Sequence, residues 1–292
     1  AYTDAEFPTL LNLSDRISFN SITQWQRFSK QALAADKSCG LRINPEIDEV
    51  ETNLYNPCSP QSRLGILAEE LQSLPEGIEG LHAHALCECG ADSTVRLIEA
   101  IETKFGHLLD KITWLNLGGG HLMTRTGYDV ELLIKTLRSL RQRYPWIEVI
   151  LEPGSAIAWQ TGPLLSTVLD IITRGGIEIA ILDTSATAHM PDVLEMPYRP
   201  EVRGAAQPDI KAFTYRLGGL TCLAGDVVGD YSFDQPLNVG DKVIFEDMIH
   251  YTMVKTTMFN GVQHPAIAID HGDGTMQVIR QFGYEDYEKR LS

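Results

Sequence analysis

The sequence predicts an α/β domain followed by a second, mostly antiparallel β domain. Up to about residue 155, short and nearly continuous apolar runs alternate with longer runs of helical spacing. This alternation is typical of parallel strands covered by helices. Beyond it, strand-like pieces follow one another with turn signals between them and no long helical run. We therefore expect a βα domain at residues 1–155 and a mostly β domain at residues 156–292.

The first domain is predicted to contain five strands with helices between them. Each strand is a short apolar run that ends at a polar or turn-forming residue. The first helix has Ser21 or Thr23 as its cap, and a further helix is expected to begin near Gly65. The predicted strands are residues 16–20, 39–45, 80–86, 111–120 and 146–154, and the other helices are residues 21–36, 92–109 and 128–144.

The second domain is predicted from short apolar segments bounded by turn residues, which is the pattern of an antiparallel sandwich or small barrel. These segments are residues 162–173, 177–183, 211–219, 241–248 and 265–270.

The polar residues of the first domain stand directly after its strands, where both a TIM-type (β/α)8 barrel and a doubly wound open sheet build their sites. A closed barrel needs eight strands, and five are found. Either the sheet is open, or the chain begins inside an incomplete barrel with about two βα units upstream of Ala1.

Composition excludes several classes of protein. A net charge of -15 argues against nucleic-acid binding and is compatible with a cationic small molecule. Five cysteines, at positions 39, 58, 87, 89 and 222, do not suggest a disulfide framework, so we expect reduced thiols and a cytoplasmic protein. Apolar runs of the ~20 residues that span a bilayer are absent from the sequence, so no membrane association is expected.

Three consecutive glycines, Gly118, Gly119 and Gly120, follow the fourth strand. Backbone N–H groups without side chains can approach a phosphate closely, but a flexible turn has the same composition. A dinucleotide fingerprint and a P-loop lysine are both absent. The segment is either an anion cradle or a turn.

Glu152 ends the fifth strand and is fixed in direction by the Pro153 and Gly154 that follow it. It could hold a protonated heterocycle nitrogen, or be a solvated or capping acid. His82 and His84 share one face of the third strand. Together with Cys87 and Cys89 they could bind zinc, they could be satisfied core histidines, or one could stack on a flat ring.

The second domain offers four candidate residues. Cys222 lies between glycines in a turn expected to be exposed, and is either a proton donor or nucleophile or an inert thiol. His189 and Asp192 lie in an expected polar loop, where Asp192 could hold an amine. Tyr251 could contact a phosphate or a ring, or be a strand tyrosine of the core.

The motifs, taken in order, resemble the pyridoxal-phosphate decarboxylases of the alanine-racemase-like fold, which include ornithine and diaminopimelate decarboxylases. The likeness runs along essentially the whole chain and implies a barrel followed by a β domain. Its motifs are SRLG, HALCE, NLGGG, LEPG, HMPD, CLAGD, HYTMVK and FNG.

The resemblance implies pyridoxal 5′-phosphate as cofactor. It assigns the phosphate to the glycine run of residues 118–120, with help from Gly154 and Tyr251. Glu152 would pair with the pyridinium nitrogen, and His84 would stack on the ring. No metal is implied.

The resemblance also implies a homodimer with a shared active site, in which Cys222 of the other subunit returns a proton to the substrate. Asp192 would hold an amine of a polyamine-type substrate, with His189 and Asp226 as further substrate contacts. The CLAGD and HMPD stretches are most similar to members that convert carboxynorspermidine or carboxyspermidine to norspermidine or spermidine.

Two departures from the ornithine-type pattern argue against ornithine as substrate. Ser155 replaces the arginine after EPG, and Leu223 replaces the acid after the loop cysteine. A decarboxylase similar to the diaminopimelate enzyme and a non-catalytic module that binds the cofactor or a polyamine remain alternatives. A racemase would need a tyrosine in the Cys222 loop, and none is present there.

The family carries its cofactor as a Schiff base on a lysine of the first barrel strand. Lys30, Lys37 and Lys104 all fall in or near predicted helices. We therefore expect the lysine to belong to an N-terminal segment that precedes this chain.

Overall fold

The computed structural model describes residues 1–50 and 52–292. Two compact units make up the chain, Ala1–Ile157 and Ala158–Ser292. The predicted domain boundary at residues 155 and 156 lies two residues before the boundary between these units.

The first unit contains an open sheet of five parallel strands in the spatial order β1-β2-β3-β4-β5. A doubly wound sheet reverses its strand order at a switch point, whereas sequential order is that of a barrel segment. The sequential strand order therefore favours a barrel segment over a doubly wound sheet, the two architectures that the sequence left open. The elements are α1 (Phe7–Leu13), β1 (Arg16–Phe19), α2 (Ile22–Ala34), β2 (Ser38–Arg42), β3 (Ile78–His82), α3 (Ala91–Leu109), β4 (Trp114–Asn116), α4 (Val130–Arg143), β5 (Glu148–Ile150) and α5 (Gly154–Ala158).

Two of the predicted helices, α2 and α4, combine amphipathic spacing with a side-chain cap. The hydroxyl of Ser21 accepts from the N–H of Gln24 at 3.2 Å and caps α2, which buries Trp25 and Phe28 against the sheet. α1 was not predicted. α3 begins at Ala91, one residue before the predicted start.

The helix expected near Gly65 is absent. Among the described residues between β2 and β3, the helical segments are two short 3-10 turns, at Asn53–Tyr55 and Ala68–Glu70. Gly65 has a φ of +83°, which a right-handed helix does not allow. The following residue, Ile66, forms a parallel bridge with Ile43, so this segment is extended at the end of β2.

One tryptophan fills a slot made by two strand glycines. Trp114 is buried, and its indole N–H donates to the hydroxyl of Ser38 at 2.9 Å. A methyl group added at Gly40 or at Gly80 would overlap the indole ring. These glycines, on β2 and β3, make room for a side chain of β4.

The second unit is built on a five-stranded sheet of order β10-β6-β7-β8-β9. Its strand pairs are antiparallel except β7 with β8, which is parallel, so the unit is mostly antiparallel as predicted. β9, β12 and α9 were not predicted. The elements are β6 (Leu164–Arg174), β7 (Ile177–Leu182), α6 (Ala186–His189), α7 (Asp192–Glu195), β8 (Phe213–Gly218), β9 (Val227–Phe233), β10 (Lys242–Phe245), α8 (Tyr251–Lys255), β11 (Ile267–Asp270), β12 (Met276–Arg280) and α9 (Tyr284–Leu291).

None of the helices in the described part of the chain is both long enough and apolar enough to cross a bilayer.

Candidate active site

The glycine run lies directly after β4, packed against the segment that follows β3. Gly118 and Gly120 have φ values of +69° and +83°. A methyl group at Gly118 would lie 2.6 Å from Cα of His84, and one at Gly120 would overlap the backbone of Leu86. Close packing and left-handed backbone therefore both require glycine here.

His84 is held by the middle glycine. The N–H of Gly119 donates to Nδ1 of His84 at 3.2 Å, so Nδ1 is an acceptor and the neutral ring carries its proton on Nε2. Burial, with a smaller effect of the Arg42 guanidinium, lowers the pKa of His84 below its usual range. A neutral, flat imidazole beside the glycine run suits stacking on an aromatic ring.

Glu152 is tied to the same glycines through backbone and side chain. Its N–H donates to the oxygen of Gly118 at 2.8 Å. Its Oε1 accepts from Nδ2 of Asn116 at 2.7 Å, and Oδ1 of Asn116 accepts from the N–H of Gly118 at 2.8 Å. About half of the Glu152 side chain stays exposed, so its second oxygen can receive a ligand. Asn116 was not a predicted site residue, although it begins the NLGGG motif.

His82 stands beside Glu152, with 3.8 Å between His82 Nε2 and Glu152 Oε2. Burial lowers the pKa of His82 to about 4, which keeps the ring neutral at physiological pH. Its Nε2 is buried and has no hydrogen-bond partner among the described residues. Arg42, also not predicted, donates from Nη2 to the backbone oxygen of His84 at 3.1 Å.

Three side chains here have the spacing of a metal site, because ligand atoms of His82, His84 and Glu152 all lie within 4.8 Å of one another. However, Nδ1 of His84 accepts the Gly119 N–H, which leaves the proton on Nε2 and no free ring lone pair. Among the described residues this group includes neither Cys87 nor Cys89, so the cluster of two histidines and two cysteines is not formed.

A small recess of about 10 Å³ opens between the glycine run and the turn after β5. Glu88, Gly120, Pro153 and Ser155 are among the residues that line it. A methyl group added at the adjacent Gly154 would meet no atom within 4 Å. The backbone around Gly154 is therefore open, as a cradle for a small anion requires.

In the second unit, Cys222 is exposed in the loop between β8 and β9, as predicted. Its backbone N–H donates to Oδ1 of Asn260 at 2.7 Å.

Asp226, expected to contact substrate, organises this loop through its hydrogen bonds. Its carboxylate accepts from the N–H and the hydroxyl of Thr221 at 3.1 and 2.7 Å, and from the N–H of Thr187 at 3.3 Å. The side chain is buried.

The prediction of a polar loop around His189 and Asp192 is wrong, because these residues lie on α6 and α7. His189 is buried, and its Nδ1 accepts from the N–H of Ser185 at 3.2 Å. Its Nε2 lies 3.0 Å from the oxygen of Gln263, to which it donates. Because both ring nitrogens are used, His189 fixes its helix rather than offering a free ring nitrogen to a ligand.

Asp192 forms an ion pair with Lys255 of α8, and the Lys255 ammonium also lies 3.4 Å from Glu195. The Asp192 side chain is 16% exposed, so this carboxylate is largely withdrawn from water. Tyr251, at the start of α8, is 55% exposed and does not lie on a core strand.

Comparison with known proteins gives the class. Residues 13–249 match the family model described as pyridoxal-dependent decarboxylase, C-terminal sheet domain. The chain belongs to this family of enzymes, whose cofactor is pyridoxal phosphate, and the resemblance seen in the sequence is confirmed.

Individual relatives show which members of this family the chain is similar to. The chain is 54% identical to carboxyaminopropylagmatine decarboxylase of Synechocystis sp. over 99% of its length and 75% of that protein. It is 44% identical to carboxynorspermidine/carboxyspermidine decarboxylase of Campylobacter jejuni, covering 99% of this chain and 78% of the relative. A crystal structure of carboxynorspermidine decarboxylase from Campylobacter jejuni complexed with norspermidine superposes with a TM-score of 0.89, at 42% identity, over 99% of this chain and 78% of that one.

Proposed function

We propose that this protein decarboxylates carboxynorspermidine or carboxyspermidine, giving norspermidine or spermidine in polyamine biosynthesis. The observation that carries the proposal is the likeness over 99% of the chain to the decarboxylase whose structure contains norspermidine. The sequence identity of 44% to a carboxynorspermidine/carboxyspermidine decarboxylase supports the same substrates.

A second candidate substrate is carboxyaminopropylagmatine. The identity of 54% to the Synechocystis enzyme favours it. Its agmatine part ends in a guanidinium, whereas the triamines end in an ammonium. Both are cations that a carboxylate such as Asp192 can pair with.

The residues of the first unit fit the cofactor. The glycine run of residues 118–120, together with Gly154, would receive its phosphate. His84 would stack on the ring, and the open oxygen of Glu152 would accept from the ring nitrogen. The bound cofactor accepts the electron pair that remains on the substrate when CO₂ leaves.

Cys222 would then return the proton. The thiol S–H bond breaks, the proton bonds to the substrate α-carbon, and the thiolate regains a proton from solvent. The exposure of Cys222 supports this role, because solvent can reach the sulfur.

Asp192 would hold the cationic tail of the substrate. Lys255 forms an ion pair with this carboxylate, so an incoming substrate ammonium would replace the Lys255 ammonium as its partner. Asp192 then has a cationic partner both before and after binding, as a largely buried carboxylate requires.

We further propose a cytoplasmic homodimer in which Cys222 acts on the cofactor held by the other subunit. An exposed proton donor on a fixed loop supports an active site completed by a second copy. Five free cysteines support a reducing compartment.

Product formation by the full-length protein tests the function. The three carboxylated polyamines and diaminopimelate are supplied to the wild type, to Cys222→Ala and to Cys58→Ala, and products are identified by mass spectrometry. We expect polyamine products from the wild type and Cys58→Ala, and a loss of about 100-fold or more in Cys222→Ala.

Other results would contradict the proposal. Unchanged turnover in Cys222→Ala would remove the role of the cysteine. Turnover of diaminopimelate alone would favour the other decarboxylase class. Cofactor and polyamine binding without release of CO₂ would favour a non-catalytic module.

A further inference from the structure

We infer that Asn260 is a positioning residue that fixes Cys222 for proton return, an inference that rests on the proposed role of Cys222. The bond from the Cys222 N–H to Oδ1 of Asn260, 2.7 Å long, joins residues 38 positions apart in the chain. It links the CLAGD and FNG motifs, and the proposed function gives FNG no other task.

The loop that carries Cys222 is already closed on itself. The N–H of Gly219 donates to the oxygen of Asp226 at 2.8 Å, and the N–H of Asp226 donates to the oxygen of Leu223 at 2.9 Å. A methyl group at Gly219 would overlap the Asp226 carboxylate. The loop is therefore a compact body, and Asn260 holds its tip from a different segment.

The segment that carries Asn260 is itself fixed. Asn260 has a φ of +62° and is followed by Gly261 at +75°, which makes a left-handed turn. Asparagine tolerates this conformation better than other side chains. The N–H of Thr257 donates to the oxygen of Ala188 at 2.7 Å, which anchors the segment on α6.

One short stretch of chain therefore contacts both proposed substrate-handling groups. Lys255 pairs with Asp192, and Asn260, five residues later, holds Cys222. Five residues span at most roughly 17 Å of extended chain. Asn260 thus sets the place of the proton donor relative to the carboxylate that would hold the cationic tail. Proton transfer is sensitive to displacements of about 1 Å, so loss of this bond slows turnover.

Asn260→Gly is the decisive variant, because it deletes the amide while keeping the left-handed backbone. Asn260→Asp keeps the acceptor oxygen and is the conservative rescue. Gln160→Gly is the matched control, since Gln160 is an exposed residue of the same unit with a φ of +54°. All three are made in the full-length protein and compared with the wild type.

Two measurements test the inference. Hydrogen exchange at the Cys222 amide should rise about 10-fold or more in Asn260→Gly and return toward wild type in Asn260→Asp. In turnover of the carboxylated polyamine, kcat should fall about 10–100-fold with KM within about 2-fold, because the change affects proton return and not binding. The control should change neither quantity.

The outcomes separate this inference from the proposed function. If Cys222→Ala abolishes turnover while Asn260→Gly leaves kcat and the amide exchange unchanged, the positioning role is wrong. If Cys222→Ala has full activity, the proposed proton donor is wrong, and the inference about Asn260 falls with it. A fall of kcat in Asn260→Gly without rescue by Asn260→Asp would also overturn the inference.

Discussion

The backbone N–H of Gly119 donates to Nδ1 of His84 at 3.2 Å, so the protein itself selects one tautomer of this imidazole. Because the bond uses the lone pair of Nδ1, the neutral ring must carry its proton on Nε2. The residue is a neutral ring prepared for contact with another ring. The lowered pKa of His84 extends this state into mildly acidic solution.

We expect nitrogen-15 NMR of the imidazoles to show His84 as the Nε2–H tautomer. Its protonation midpoint should lie below about 6.5, because burial disfavours the charged ring. A His84→Gln sample identifies the signal. An Nδ1–H tautomer would contradict the hydrogen bond to Gly119.

The charge of Glu152 is expected to be essential for turnover. Glu152→Gln keeps an oxygen for the amide of Asn116 but cannot hold a protonated ring nitrogen, so kcat should fall about 100-fold or more. Glu148→Gln, on β5 and paired with Arg16 on the surface, is the control and should retain activity. Equal kcat values for the two variants would remove Glu152 from the reaction.

Asp192 should contribute more to substrate affinity than Glu195 does. We expect Asp192→Asn to raise KM for the polyamine substrate about 10–100-fold, because a largely buried carboxylate is replaced by a neutral amide. Glu195→Gln removes an acid whose side chain is 54% exposed, and should change KM less than about 3-fold. The assignment fails if Glu195→Gln has the larger effect in steady-state kinetics.

The slot around Trp114 gives a stability prediction. Gly80→Ala would force a methyl group into the indole and should lower the free energy of unfolding by about 1–3 kcal/mol or more. Gly106→Ala, inside α3 where an added methyl group meets no atom within 4 Å, should instead raise it by about 0.5–1 kcal/mol. Denaturant unfolding measures both, and similar midpoints for the two variants would contradict the packing.

Stability should fall as the solution is made acidic. The folded protein keeps His82 neutral down to about pH 4, whereas the unfolded chain takes up a proton near its ordinary pKa of about 6.5. The unfolded state therefore binds more protons between these values, and this contribution is full above pH 6.5 and lost toward pH 4. The slope from His82 should not exceed about 1.4 kcal/mol per pH unit and should disappear in His82→Gln. Unfolding curves recorded from pH 4 to pH 7 test this.

The sequence predicts the fold best where one local pattern decides the structure. The five strands of the first unit are apolar runs next to amphipathic helices, and all five form. β9 was missed because Gly229 and Asp230 interrupt its apolar pattern, and pairing with β8 overrides this local composition. The failed helix near Gly65 has a similar cause, since the bridge between Ile43 and Ile66 holds that segment extended.

The candidate site, like the fold, could be predicted only where a local sequence pattern identifies the residue. His84 and Glu152 could be picked out because each stands at a strand end inside a motif. The bonds of Asn116 to Glu152 and of Asn260 to Cys222 join residues 36 and 38 positions apart. Such pairs depend on how strands and loops meet, so the sequence pattern of either partner does not reveal them.

The buried indoles can report on the first unit alone. Trp25 and Trp114 are buried there and Trp146 is exposed, whereas the fourth tryptophan, Trp159, lies in the second unit. In a Trp159→Phe variant, release of the two buried indoles into water would shift the fluorescence to longer wavelength as the first unit opens. Comparing that signal with far-ultraviolet circular dichroism, which follows both units, would tell whether the halves of the chain melt together or in turn.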